Sequence, residues 1–335
     1  MKLMITCGRS EDRSDLTADQ KKSQPRVDLT IERRRYLKQP RQMTGRERRR
    51  LDPNKGLFKV LERQIDRLVS RFVYPHLLGL WHPYTWLLPR RFSLAQISLS
   101  PAGWPRDISR LRVLLLSDIH TGVFLKAEVL LEIVNSLMEL GPDLVAVAGD
   151  AVTAQASDLD GFLPALRPLS LAPLGAWYCH GNHDYFGDPA AIRERFNSIG
   201  ITTLRNESVV LAHAGGKFVL GGIDDRILGT PDWDRLTSAH GSPHLLLAHN
   251  PDFFFEAAGR DIPLTLSGHT HGGQIRFRNG PPLVRQSKFC LDEGAYAYNS
   301  SLLVVSRGLG SVGLPWRYGA DPEAVLIEIT PVEGN

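Results

Sequence analysis

The chain has 335 residues, 42% hydrophobic and 23% charged, which excludes a wholly disordered polypeptide and fits one large or two smaller globular domains. Its formal charge of +4 says little about partners: residues 1–50 hold 15 Lys/Arg against 7 Asp/Glu, a net +8, which leaves −4 on residues 51–335. Cys7, Cys179 and Cys290 are too few and too scattered for a disulfide framework or a thiolate metal site, and they fit a reducing compartment, the cytoplasm.

Residues 1–55 are polar, arginine-rich and short of aromatics, so they are expected to stay disordered. Arg33-Arg34-Arg35-Tyr36-Leu37-Lys38 resembles a twin-arginine export signal, but Gln39-Pro40-Arg41-Gln42 stands where a hydrophobic stretch is required. Export is therefore not the reading. The next segment, 56–105, is aromatic-rich and amphipathic. Leu57, Val60, Leu61, Ile65, Leu68, Val69 and Phe72 recur at helical spacing, and residues 72–89 then run without a charged side chain. That length is the lower limit for a membrane span. Pro75, Gly79 and Pro83 argue against spanning, because breakers leave backbone groups unsatisfied in lipid. A flap on the main domain and an anchor in the membrane interface both stay open. The second would put the protein at the inner face of the cytoplasmic membrane.

From Leu111 a regular alternation begins, marking a domain over 106–332. Strands are expected at 111–117, 144–148 and 175–179, alternating with helices at 126–140, 158–166 and 189–199. Further strands follow at 208–212, 218–223, 245–248, 264–267, 302–306 and 324–329. Strand-then-helix alternation predicts an α/β fold, with ligands bound beyond the carboxyl ends of the strands.

The chemistry sits at those ends. In Gly268-His269-Thr270-His271-Gly272-Gly273-Gln274, two histidines one residue apart would point to the same side of an extended chain and reach one small volume. Asp118 and His120 repeat that spacing, Asp150 follows a glycine, Asn182 offers a neutral oxygen, and His249 adds a nitrogen. Any one of these alone reads as a turn. Five such motifs, each after a strand, read as one metal site built from five loops. Carboxylate and imidazole without thiolate suit Mn, Fe, Zn, Ni or Co better than Mg or Ca.

Asp118-x-His120, Gly149-Asp150, Gly181-Asn182-His183-Asp184, His249 and Gly268-His269-Thr270-His271 resemble, in order and spacing, the calcineurin-like metallophosphoesterase superfamily. Leu220-Gly221-Gly222-Ile223-Asp224-Asp225, Ala248-His249-Asn250-Pro251-Asp252 and the 308–319 loop resemble its bacterial YaeI/YkuE-like branch. The resemblance implies a four-layer α-β-β-α sandwich of two mixed sheets flanked by helices. It implies two divalent metal ions, the first on Asp118, His120, Asp150 and His271. The second would lie on Asp150, Asn182, His249 and His269, with Asp150 bridging. It implies His183 as the catalytic histidine, helping the leaving oxygen while a metal-activated hydroxide attacks phosphorus.

The sequence departs from that pattern at Thr153, where many relatives carry an aspartate that orients the histidine. Asp184 or the substrate would have to supply that role. Arg317 is read either as a phosphate contact or as a structural arginine bonding loop carbonyls. Asn250 and Gln274 are candidate donors to substrate or to a ligand, Asp224 and Asp225 a turn, and Cys179 a buried small hydrophobe. The expected activity is hydrolysis of phosphodiester or pyrophosphate bonds, with a lipid-linked or nucleotide-linked substrate as one candidate. A metal-dependent nuclease and a non-catalytic scaffold with the same fold are the alternatives. Because the basic charge is confined to the tail, no specific nucleic-acid partner is expected.

Overall fold

Apolar residues on both faces of the central strands place those strands between two layers, so both faces find a core. The computed structural model describes residues 30–34, 37–42, 88, 91–122, 124–277 and 280–332. Strand β3 (Leu111–Leu116) turns Leu114 and Leu116 to one core and Leu111, Val113 and Leu115 to the other. Strand β4 (Leu144–Ala148) divides in the same way, as period-two geometry requires.

A seven-stranded sheet runs in the order β1 (Thr30–Arg34), β2 (Ser93–Leu99), β13 (Glu323–Ile329), β3, β4, β5 (Ala176–Cys179), β6 (Ile201–Thr203). All its neighbours are parallel except β13 with β3. A six-stranded sheet runs β11 (Gly294–Tyr298), β12 (Ser301–Val305), β10 (Leu264–Ser267), β9 (Leu245–Leu247), β8 (Gly216–Gly222), β7 (Glu207–His213). Its two edge pairs are antiparallel and its centre is parallel. The sheets face each other across one apolar core. Helices α1 (Ala127–Met138), α2 (Leu163–Leu166) and α3 (Pro189–Ser198) cover the outer face of the first sheet. Helices α4 (Trp233–Ser238) and α5 (Phe254–Ala258) cover the outer face of the second. The result is the expected α-β-β-α sandwich with two mixed sheets.

In α1 the buried residues are Val129, Leu130, Ile133, Val134 and Leu137, a stripe at helical spacing, and Gly141 in the left-handed region with Pro142 ends the run. The single helix expected over 158–166 is instead a 3-10 turn at Ala156–Leu159 followed by the one-turn α2. Gly161 and Pro164 interrupt it.

The tail behaves differently from its average composition. Strand β1 pairs in parallel register with β2, and Ile31 packs against the first core. Lys38 bridges to Tyr296 and lies along β11, so residues 30–34 pair at the edge of one sheet and Lys38 at the edge of the other. Strand β2, within the segment expected to precede the domain, pairs with β13 along its whole length. Residues 1–29 lie outside the described residues, as does the charge-free stretch 72–89 apart from the buried Leu88. Among the described residues no helix is long and apolar enough to cross a membrane.

Candidate metal centre

The parallel strands β3, β4 and β5 bring their carboxyl ends to one end of the sandwich, and β9 and β10 bring theirs to meet them, with β4 packed across the layers against both. The loops that follow are knitted together by backbone bonds. Asp118 N–H donates to Gly149 O (2.9 Å), His120 N–H to Asp150 O (3.1 Å) and Gly268 N–H to His249 O (3.0 Å). His269 N–H donates to the Asp118 carboxylate (3.0 Å) and His183 N–H to Asp150 Oδ1 (2.7 Å).

Two groups of ligand-type atoms result, each spanning no more than 4.8 Å: Asp118, His120 and His271, and Asp150, His249 and His269. All six residues are buried. His120 Nε2 and His271 Nε2 are 3.1 Å apart, and His271 Nε2 lies 3.5 Å from Asp118 Oδ1. Asp150 Oδ2 lies 3.2 Å from His249 Nε2 and 3.7 Å from His120 Nε2, so one carboxylate oxygen faces both groups. Ligand atoms about 2.0–2.2 Å from a common cation sit at roughly these separations from one another. Asn182 Oδ1 is buried with no hydrogen-bond partner, and the next residue, His183, donates its N–H to Asp150. The His249 ring is oriented by its Nδ1–H, which donates to Ala148 O at 2.7 Å and leaves Nε2 facing the site. Donor chemistry, spacing and an orphaned oxygen all fit divalent cations.

Burial and mutual charge shift the titrating groups of the cluster in both directions. Burial raises the Asp118 carboxyl to about 6. Burial lowers His120 to about 3, helped by His183, so its nitrogens are free of an extra proton near neutral pH. Burial and the Arg317 guanidinium hold His271 well below the ordinary imidazole range. Burial opposes charge on His249 too, but Asp150 beside it wins and lifts it to about 10. The same pair works against burial to hold Asp150 well below the usual carboxylate range.

The local geometry differs from the extended chain expected at the paired motifs. Strand β10 ends at Ser267, and Asp118, His120, Asp150, His269 and His271 all adopt positive φ, between 47° and 72°. Strain of this kind costs about 1–3 kcal/mol per residue and collects at functional sites. His269 and His271 each join a different group, the division that the family resemblance implies. Gly149, at φ 82°, permits the turn into Asp150, and a Cβ there would meet His249 Nδ1 at 2.4 Å. At Gly268 a Cβ would stand 2.4 Å from Asp118 Oδ2.

The remaining candidates fall into place around this cluster. His183 is only half-buried, its ring edge-on to His120 with centroids 4.8 Å apart. Its Nδ1 meets the backbone carbonyl of Thr153 at 3.0 Å, while the Thr153 hydroxyl donates to His120 O. Neither that hydroxyl nor Asp184 orients the histidine. Asp184 is fully buried and accepts from the N–H groups of Asp150, Ala151 and Gly181 and from the Tyr178 hydroxyl. It braces two ligand loops at once, and burial lifts its carboxyl to about 7. Tyr178 was not anticipated as a participant, although alternation on β5 aims it at the helical layer beneath Asp184. Asn250 caps a 3-10 turn by accepting from Asp252 N–H. Gln274 ties its loop to Val312 and Leu314.

Arg317 is buried. Its guanidinium donates to the carbonyls of Arg307 and Gly310 (both 2.8 Å) and to His271 Nδ1 (2.9 Å), contacts of the structural kind. Asp225 accepts from Ile227 and Leu228 N–H as a turn residue does. Asp224 holds Arg205, Thr230 and the Tyr185 hydroxyl. Cys179 is buried in the inter-sheet core.

The calcineurin-like phosphoesterase family model matches residues 111–273, the stretch that carries every one of the candidate ligands. The chain is 30% identical over 251 residues to the uncharacterized metallophosphoesterase YkuE of Bacillus subtilis, covering 73% of this chain and 87% of that protein. The chain belongs to the calcineurin-like phosphoesterase family. Phosphodiesterase YaeI of Escherichia coli is 33% identical to this family member over 65% of the chain and 82% of its own length. A transmembrane protein with metallophosphoesterase domain from Danio rerio is 34% identical over 67% of the chain, which spans about half (54%) of that longer relative.

Proposed function

We propose that this calcineurin-like chain is a metal-dependent phosphodiesterase or pyrophosphatase working with two divalent cations. The observation that carries the reading is Asp150 Oδ2 facing both ligand groups, 3.2 Å from His249 and 3.7 Å from His120. Asp118, His120, Asp150 and His271 would hold one ion, and Asp150, Asn182, His249 and His269 the other. Cations there supply Lewis acidity toward phosphate oxygens and bring the acidity of water to near neutral pH.

The protein's own groups do the rest. In this reading Asp150 keeps the two sets in register and positions His183 through its backbone N–H. Thr153 O holds the His183 Nδ1–H, which leaves Nε2 to face substrate from the half-buried rim. As the oxygen of water bonds to phosphorus and sheds a proton to solvent, and the bond to the leaving oxygen breaks, His183 Nε2–H delivers its proton to that oxygen and is reprotonated from solvent. The products are a phosphomonoester and an alcohol, or two phosphates from a pyrophosphate. Arg317 donates to His271 Nδ1 and so fixes the orientation of that ring. A neutral carbonyl behind His183 cannot compensate an imidazolium as a carboxylate does, which favours diesters and pyrophosphates over phosphoproteins. Scattered thiols support a cytoplasmic setting.

Bis-p-nitrophenyl phosphate is the direct substrate test. Folded full-length protein supplied with Mn, Co, Ni or Zn is expected to hydrolyse it, faster than a phosphopeptide. No turnover with any of these ions would reject the reading.

A further inference from the structure

No carboxylate orients His183, and among the described residues one hydrogen bond ties its ring, Nδ1 to Thr153 O at 3.0 Å. That bond fixes a single point. A ring held at one nitrogen can still swing about the bond and carry Nε2 away from the leaving oxygen. Two neighbouring rings close off that freedom. His120 stands edge-on to His183 with centroids 4.8 Å apart and planes at 89°, and Phe186 meets it in the same fashion at 4.8 Å and 76°. The His120 ring belongs to a ligand group, but Phe186 has no part in either.

The Phe186 contact follows from the local chain. His183–Phe186 is a single 3-10 turn, in which side chains three residues apart stand over one another. Between the two rings, Asp184 turns inward to accept from the Asp150 and Gly181 N–H groups, and Tyr185 donates its hydroxyl to Asp224. Gly187 then brings the chain hard against residues 155–156, where a Cβ would stand 2.9 Å from Ala156 N. The turn is pinned before and after Phe186, which gives that ring a fixed base.

We propose that Phe186 is the positioning residue for His183, its ring holding the imidazole where Nε2–H reaches the leaving oxygen. The inference rests on the proton-donor reading of His183. An edge-to-face pair is directional, so bulk without a ring holds the imidazole less well.

Full-length wild type, Phe186→Ala, His183→Ala and the double variant are compared on diesters with p-nitrophenolate and alkoxide leaving groups, with metal content measured on each protein. Phe186→Ala is expected to keep its metal and to lose about tenfold or more in turnover of the alkoxide esters, since a misplacement of about 1 Å can cost about 10²-fold. The loss should shrink with p-nitrophenolate. In the His183→Ala background the same change should cost nothing further, because it acts through that ring. Phe186→Tyr, which keeps the ring, should restore most of the turnover. Phe186→Leu, which keeps apolar bulk, carries the same comparison if the alanine variant does not fold. Unchanged turnover, equal losses for both leaving groups, loss of metal, or an undiminished further loss in the His183→Ala background would each overturn the proposal. A wild type without turnover would instead reject the hydrolase reading, and this inference with it.

Discussion

Asp150→Asn is expected to lose metal and activity together. Asp150 is buried at the meeting point of both ligand groups, and its Oδ1 also accepts the His183 backbone N–H. An amide keeps one acceptor oxygen but removes the negative charge, and it turns an NH2 group toward His249 or His183. Changing a residue that merely supports a ligand already costs about 10–100-fold in metal affinity or activity. A carboxylate serving both groups should exceed that, so turnover should fall by more than about 10²-fold. The fall should be the same for good and poor leaving groups, because the defect precedes bond breaking. Metal analysis and diester kinetics on the same preparation check this. An Asp150→Asn protein that retained its full metal content would break the assignment.

His183→Ala should behave in the opposite way. The ring is half-buried, sits beside His120, and belongs to neither ligand group. Its removal should leave the metal content unchanged while turnover falls about 10²–10⁴-fold, the usual contribution of a positioned proton donor. The loss should shrink for p-nitrophenolate, which departs without a proton, and grow for alkoxide leaving groups. Comparing a series of diesters by leaving-group acidity separates the cases. Loss of metal from His183→Ala would make the residue a ligand.

That Asp118, His120, Asp150, His249, His269 and His271 would cluster was legible in the sequence because chemistry and position agreed. Asp118, Asp150, Asn182, His249 and His269 each follow a run of apolar residues, and such runs become strands whose ends cluster. Conformation was less legible. The i, i+2 spacing puts His269 and His271 on one side of an extended chain, but both residues leave extended geometry for positive φ, and each joins a different group. Local spacing carries no information on backbone strain that only the packed loops sustain.

Partners from distant strands were hidden for a similar reason. That Thr153 offers His183 its carbonyl and not its hydroxyl depends on the path of a loop. The brace that Asp184 makes to Asp150, Gly181 and Tyr178 depends on the neighbouring strands β4 and β5. Strand β1 was obscured by averaging: Ile31 lies in an arginine-rich tail whose mean composition points to disorder, yet Ile31 packs on the first core, Glu32 reaches Arg307, and Thr30–Arg34 pairs along an open sheet edge.

The central claim is a site for two cations bridged by one carboxylate, and counting ions tests it most directly. Full-length protein is reconstituted with Mn or Zn, freed of unbound metal and analysed by mass spectrometry against protein concentration. Two ions per chain are predicted, falling toward one for Asn182→Ala, whose orphaned Oδ1 the proposed function gives to only one of the two ions. A wild-type protein that is folded, holds one ion or none at saturation, and responds to Asn182→Ala with no change would contradict the account.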